Sequence, residues 1–224
     1  MTTRKFLIAG GNPTALVQGC PLAYRDHTAG ALLRNVEQVG FIQPLASPPH
    51  MEMMGGEFCL NASLAFASTL GPTGNLSVSG LNLPATYANP GKKTRISVPI
   101  HWVVDGNIVL LEGIGFVLHP HGSGHCPGKQ DLADFCARFN LPAFGSILFS
   151  DNTIFPTVLV PSMDSFVPET ACGSGSVAFS LFTGEQRVRQ PSGDVIAIRR
   201  HPATGASEKA PDLFDIEAVV QPVD

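Results

Sequence analysis

The sequence predicts an α/β chain folded as two similar lobes, each with short strands around a buried helix, and three observations carry that reading. First, GGEFCLNASLAFAS (Gly55–Ser68) and ETACGSGSVAFS (Glu169–Ser180) each lead a cysteine into an apolar run of small residues. Aligned on Cys59 and Cys172, they share Ser at the fourth place after the cysteine (Ser63, Ser176), Ala at the sixth (Ala65, Ala178) and Phe at the seventh (Phe66, Phe179). The cysteines stand 113 positions apart in 224 residues, the spacing of a duplicated unit. Second, only 14% of residues are charged, against about 25% in an average soluble domain, while Gly and Pro number 23 and 19. Such a chain makes short strands, tight connections and sheets covered on both faces. Third, the runs over 60–70 and 174–182 are apolar around the whole helical circumference, so each reads as a buried central helix. The lobes are expected over 1–112 and 113–224, with the last strand free to return to the first lobe.

In chain order, strands are expected over 5–9, 14–17, 38–44, 76–79, 95–102 and 108–113 in the first half. In the second half they are expected over 115–119, 144–149, 157–160, 186–190, 194–199 and 215–220. Most are β-branched or alternating runs bounded by Gly, Pro, Asn or Ser. RVRQPSGDVIAIR, 187–199, places a Pro-Ser-Gly-Asp turn between two alternating segments and is the clearest hairpin. A third helix over 129–140 carries Leu132, Phe135, Cys136 and Phe139 on one face and charge on the other, which places it on the outside with Cys136 packed beneath it. Gly71-Pro72 and Gly184 are suitable stops for the two central helices. The stretch 203–211 lacks periodicity and reads as an exposed loop.

Composition excludes several function classes. The net charge is −4 with no run of Lys or Arg, which argues against nucleic acid or an anionic membrane as the main partner. No apolar run approaches the roughly 18–20 residues needed to span a bilayer, and the block Phe6–Ala9 is shorter than a signal-peptide core of about 7 residues or more. Five cysteines without framework spacing read as free thiols in a reducing cytoplasm.

Cys59 and Cys172 each fall at the start of a buried helix, where the backbone N–H groups of Leu60, Asn61, Gly173 and Ser174 lack intrahelical partners. The positive helix end should lower the thiol pKa, which in such settings falls from about 8.5 to roughly 3.5–7.5. The same donors can hold a carboxylate. Two thiols, one per lobe, facing one bound carboxylate suit a particular chemistry. One sulfur removes a proton from a carbon beside the carboxylate, and the other returns a proton to the opposite face. This needs no metal and no cofactor.

The segments GGNPTALV (10–17), GGEFCLNA (55–62), ETACGSGS (169–176) and VRQPSGDVIAI (188–198) resemble, in that order, parts of diaminopimelate epimerase. They match its Gly-Asn start, its two cysteine motifs and its closing hairpin. The resemblance spans nearly the whole chain and implies two pseudo-symmetric lobes, each a curved sheet or barrel around a central helix. It also implies a racemase or epimerase that uses two cysteines and no pyridoxal phosphate. Carried onto this sequence, it makes Cys59 and Cys172 the acid–base pair. Asn12 and Asn61 become substrate contacts, and the N–H groups of Gly173 and Ser174 become carboxylate donors. Three departures bear on substrate. Asp164-Ser165 aligns with the Glu-Arg of the epimerases, which leaves Asp164 for the substrate ammonium and no Arg for a distal carboxylate. The Asn-Pro-His segment is replaced by Gly113-Ile-Gly-Phe116, and Leu60 replaces the Gly after the first cysteine. The GGEFCLNA form is similar to the histidine racemases that feed opine-type metallophore synthesis. The resemblance therefore implies histidine as substrate, with diaminopimelate or another amino acid as the alternative.

Other readings stand beside this one. Glu57 and Glu169 either contact substrate or serve the helix starts as dipole partners. His119, His121, His125 and Cys126 lie within eight residues but match no familiar zinc spacing, so they read as a loop rather than a metal site. Trp102 reads as core packing. A Cys-His hydrolase would need one cysteine with a nearby histidine, and neither motif offers one. A non-catalytic amino-acid- or metal-binding protein of the same fold is the alternative outside enzymes, and a homodimer is compatible with the sequence.

Overall fold

In the computed structural model the described residues are 1–124, 126–203 and 210–223. The first half runs β1 (Thr2–Ile8), β2 (Gly11–Gln18), α1 (Arg25–Leu32), β3 (Gln38–Gln43), β4 (His50–Met53), α2 (Leu60–Ser68), β5 (Thr73–Val78), β6 (Ala85–Ala88) and β7 (Lys93–Ile100). Next come β8 (Trp102–Asp105), β9 (Ile108–Leu111), β10 (Ile114–Pro120), α3 (Lys129–Phe139), β11 (Phe144–Ser150), β12 (Thr153–Val160) and β13 (Ser165–Pro168). The chain closes with α4 (Gly173–Thr183), β14 (Arg187–Arg189), β15 (Val195–His201) and β16 (Asp212–Val223).

Strands β1 to β7 pair in sequence order, and β16 pairs with both β7 and β1, closing an eight-stranded barrel. Strand β16 also pairs with β15, which starts a second sheet running β15-β14-β12-β11-β10-β9-β8. Antiparallel neighbours are joined by tight turns, whereas a parallel pair needs a longer crossover, and helices supply it here. Helix α1 lies between the parallel strands β2 and β3, and α2 between β4 and β5. In the second half α3 lies between β10 and β11, and α4 between β12 and β14. The chain thus repeats one order of elements twice.

Helix α2 packs against β1, β2, β3, β4, β7 and β16, inside the barrel they form. An eight-stranded barrel leaves little interior room, and α2 meets that limit with Ala62, Ser63, Ala65 and Ala67 between the larger Leu64 and Phe66. Helix α4 packs likewise against β9, β10, β11, β12, β14 and β15 with Ser176, Val177, Ala178 and Phe179 fully buried. Two satellite cores lie outside the sheets. One gathers Ala15, Val17, Ala29, Val36, Val39 and Phe41 with α1, and the other gathers Val117, Leu132, Cys136, Phe144 and Leu159 with α3.

Both buried helices and the outer helix α3 appear where expected, and α3 ends at Asn140 in the left-handed region (φ 52°). The hairpin over 187–199 forms with Val188 opposite Ile196 and Gly193 at φ 95° in its turn. Helix α1 is a difference: its single buried residue, Ala29, leaves almost no apolar stripe to read. Strands β4, β6 and β13, each four residues long, lie outside the expected runs. The run expected over 95–102 breaks at His101 into β7 and β8, and β12 continues upstream through Pro156.

The part of the expected loop at 204–209 and His125 of the histidine cluster lie outside the described residues. Of that cluster, His121 packs beside Phe155 with ring centroids 6.0 Å apart and Cys126 is exposed. Among the described residues no group of three His, Cys, Asp or Glu is placed to hold a metal ion. Trp102 is half-buried, donating to Asp212 Oδ2 at 2.8 Å with Arg200 over its ring. No described helix is long and apolar enough to cross a membrane.

Candidate active site

Each cysteine is the N-cap of its helix. Cys59 (φ −126°, ψ 109°) accepts at Sγ from the Ala62 N–H at 3.3 Å, and Cys172 (φ −142°, ψ 106°) accepts from the Gly175 N–H at 3.2 Å. The sulfur therefore fills the place that a Ser or Asp oxygen usually takes at a helix start. The shared serine four places on has the same task twice. Ser63 donates to the Cys59 carbonyl at 2.7 Å, and Ser176 to the Cys172 carbonyl at 2.6 Å. That pair of bonds fixes both turns and accounts for the echo in the sequence.

The two helix starts meet. Asn61 donates through Nδ2 to the Ala171 carbonyl at 2.8 Å, and its Oδ1 accepts from the Gly173 N–H at 2.9 Å. A Cβ at Gly173 would lie 2.7 Å from Leu60 Cβ, so the contact requires glycine there. Ser174 Oγ accepts from the Leu60 N–H at 3.4 Å.

Both sulfurs line one cavity between the helix starts, together with Glu37, Gln38, Glu57 and Glu169 and an apolar wall that includes Phe58, Ile114, Val158 and Val160. The space is tight, about 20 Å³, roughly one water molecule. A ligand the size of an amino acid enters only if the walls part. No basic side chain lines the cavity among the described residues.

Electrostatics follow from burial. The Cys59 and Cys172 thiols are both pushed well above their ordinary pKa, first by burial and next by the charge of Glu169. The sequence expectation of a lowered thiol pKa is corrected here: the helix-end N–H groups do pull down, but desolvation of a buried anion outweighs them. Burial also raises the Glu169 carboxyl to about 8, Glu57 to about 7, and Glu37 above its ordinary value. Near neutral pH the resting cavity is thus poor in charge.

The expected site residues divide. Cys59, Leu60, Asn61, Glu169, Cys172, Gly173 and Ser174 come together around the cavity. Asn61 and the Gly173 N–H bond to each other across the two helix starts. Asn12 is fully buried outside the lining, where it holds Glu37 through Nδ2 at 3.0 Å. Asp164 is a correction. It sits at the end of a surface turn with φ 50°, its side chain is 88% exposed, and it pairs with Lys129 rather than facing the cavity. Glu57 accepts from the Gly55 N–H at 2.9 Å and also lines the cavity.

Sequence reasoning missed Glu37, Gln38 and Gln190. Gln38 Oε1 accepts from the Cys59 thiol at 2.7 Å while its Nε2 donates to Glu169 Oε1. Gln190, in the 187–199 hairpin, accepts from the Cys172 N–H at 2.8 Å and donates to Ser176 Oγ at 2.9 Å. Thr170 donates to Glu37 Oε1 at 2.7 Å. The available signal was a polar pair, Glu37-Gln38, directly ahead of the buried run Val39–Ile42.

No protein-family model matches the chain. It is 30% identical over 175 residues to a histidine racemase of Fusobacterium nucleatum subsp. nucleatum, a match covering 65% of this chain and 64% of that protein. To a histidine racemase from another strain of that organism it is 24% identical over 192 residues, covering 70% and 72%. The chain therefore spans just under two thirds of the length of the first of these relatives. Among solved structures, a probable proline racemase from Agrobacterium radiobacter K84 superposes with a TM-score of 0.65 at 13% identity, covering 98% of this chain and 90% of that one. The chain has the fold of that racemase.

Proposed function

We infer that this chain is an amino-acid racemase that inverts Cα with two sulfurs and no cofactor. The observation that carries the reading is a single cavity into which both helix-capping thiols open. In one direction the Cys172 thiolate takes the α-proton while the Cys59 thiol delivers its own to the opposite face. In the other direction the roles exchange. Glu169, a buried carboxyl hydrogen-bonded to Cys172, is positioned to face the substrate ammonium. The Ser174 N–H, at the first turn of α4, is the donor for the substrate carboxylate, with Leu60 N–H beside it across the helix contact. Parting of the walls admits substrate, and closure excludes water, so that an aimed donor counts for more than it would in solution.

Histidine is the substrate this reading favours, supported by the names of the two Fusobacterium relatives and by a cavity lined, among the described residues, by three carboxyl groups and no basic side chain. In the cell the product would supply metallophore synthesis, in a reducing cytoplasm that keeps both thiols free. The test is chiral analysis after incubating each of the twenty common L-amino acids and diaminopimelate with the protein in D2O. The expected result is D-histidine carrying deuterium at Cα. Inversion of a different amino acid would replace the substrate, and no inversion of any would remove the activity.

A further inference from the structure

Gln38 connects the two halves of the site through one planar amide. Its oxygen faces the Cys59 thiol at 2.7 Å and its nitrogen faces Glu169, whose carboxyl in turn hydrogen-bonds with Cys172. The two ends of a primary amide are not interchangeable: the oxygen only accepts and the nitrogen only donates. The observed orientation fits Cys59 as a thiol. Once Cys59 has given its proton away, the same orientation sets a carbonyl oxygen against a buried thiolate.

We propose that Gln38 is a positioning residue whose side-chain amide turns over each time Cys59 changes protonation state. Oxygen faces the thiol, and N–H faces the thiolate. The oxygen and nitrogen ends are nearly equal in size, so a half rotation of the amide needs no new space. Glu169 answers at the far end. As a neutral acid its carbonyl oxygen accepts from Gln38 in one state, and its O–H donates to the Gln38 oxygen in the other.

The protons balance. The resting site holds one more proton, on Cys172, which passes to solvent when the walls part for substrate; before inversion the site then holds Cys59 S–H, Cys172 S⁻ and protonated Glu169. Afterwards it holds Cys59 S⁻, Cys172 S–H and protonated Glu169, the α-proton having gone to Cys172 and the Cys59 proton to Cα. A carboxyl raised to about 8 by burial is protonated at neutral pH, as this requires. The other titratable groups bearing on Cys59 are Glu57 and Cys172, and neither stabilises a thiolate. That task falls to the Ala62 and Asn61 N–H groups and to the turned amide. The timing of the turn rests on the racemase reading, but the amide geometry does not.

The experiment measures iodoacetamide alkylation of the Cys59 peptide against pH by mass spectrometry, in the full chain and in Gln38→Met. A turning amide gives the thiolate a charge-assisted donor, stronger than the bond its oxygen makes to the thiol. The Met variant should then titrate higher, by about one pH unit, or a tenfold loss of thiolate at fixed pH. Its kcat should fall about tenfold with KM within about twofold, the pattern of a lost interaction that does not bind substrate. An unchanged or lower midpoint means a fixed acceptor and overturns the proposal. Should Gln38→Met fail to fold, the side-chain amide resonance of Gln38 in the unaltered protein decides. It should move with the same midpoint as Cys59, and a resonance constant through that titration overturns the turn. An amide that follows Cys59 in a protein that inverts no amino acid removes the racemase reading alone. The reverse pair of results removes only the amide turn.

Discussion

The units β4-α2-β5 and β12-α4-β14 share a backbone plan and differ in what surrounds the sulfur. In both, a cysteine caps a buried helix and a serine one turn on donates to its carbonyl. Around Cys59, a glutamine side chain reaches the sulfur itself. Around Cys172, a glutamine holds the backbone N–H and the serine, and the sulfur is left beside Glu169. The repeat therefore conserves what a helix start needs, while the groups that set the proton state of each thiol are particular to each half. The proposed two-base reading, in which the thiols hold opposite protonation states, requires such a difference.

The largest effects should come from the sulfurs. Cys59→Ser and Cys172→Ser are each expected to lower kcat by about 10³-fold or more, within the range for a positioned acid or base. A variant of either kind with full activity would break the pairing. Next is the contact between the helix starts. Gly173→Ala forces a Cβ to 2.7 Å from Leu60 and should destabilise the fold by about 1–3 kcal/mol, the range for overpacking, as measured by urea denaturation. Gly184→Ala, at a site with open space but φ 85°, should cost less and leave the cavity intact.

The carboxyl of each half can be compared through pH. Glu169 and Glu57 ionise near 8 and 7 in the folded chain against 4.5 ordinarily. Between those values the unfolded chain binds fewer protons than the folded one, so the stability these two carboxyls contribute is full below about pH 4.5 and is lost as pH rises to about 8. Thermal melts should show that decline. Glu169→Gln should flatten it more than Glu57→Gln, and the opposite order would reverse the assignment of the more deeply perturbed acid.

Smaller still is the serine pair. Ser63→Ala should cost about 1 kcal/mol, one hydrogen bond, and Ser176→Ala about 2, because Gln190 also loses an acceptor. Least of all, Asp164→Asn, which keeps a residue tolerant of the left-handed turn, should leave activity within about twofold and stability unchanged, as for an exposed ion pair.

How much of this was legible in sequence depends on range. The central helices, α3 and the closing hairpin were readable because local pattern and turn chemistry decide them. The cysteines were readable because duplication printed the same cap and serine twice. Asp164 misled because an alignment of neighbours in sequence says nothing of a left-handed turn that aims the side chain outward. Gln38, Gln190 and Glu37 were not legible, since each reaches its partner from a strand or turn remote in sequence from the motif it serves. The thiol pKa was misjudged for the opposite reason. The helix-end effect is local and visible in sequence, whereas the burial that outweighs it is a property of the closed fold.

The central claim is that the two sulfurs act from opposite sides of one substrate, and initial-rate labelling tests it most directly. With L-histidine in D2O at low conversion, two bases place deuterium in the newly formed D-enantiomer, while the recovered L-enantiomer keeps its α-proton. Equal early deuteration of both enantiomers would mean a single base serving both faces, and would contradict the account.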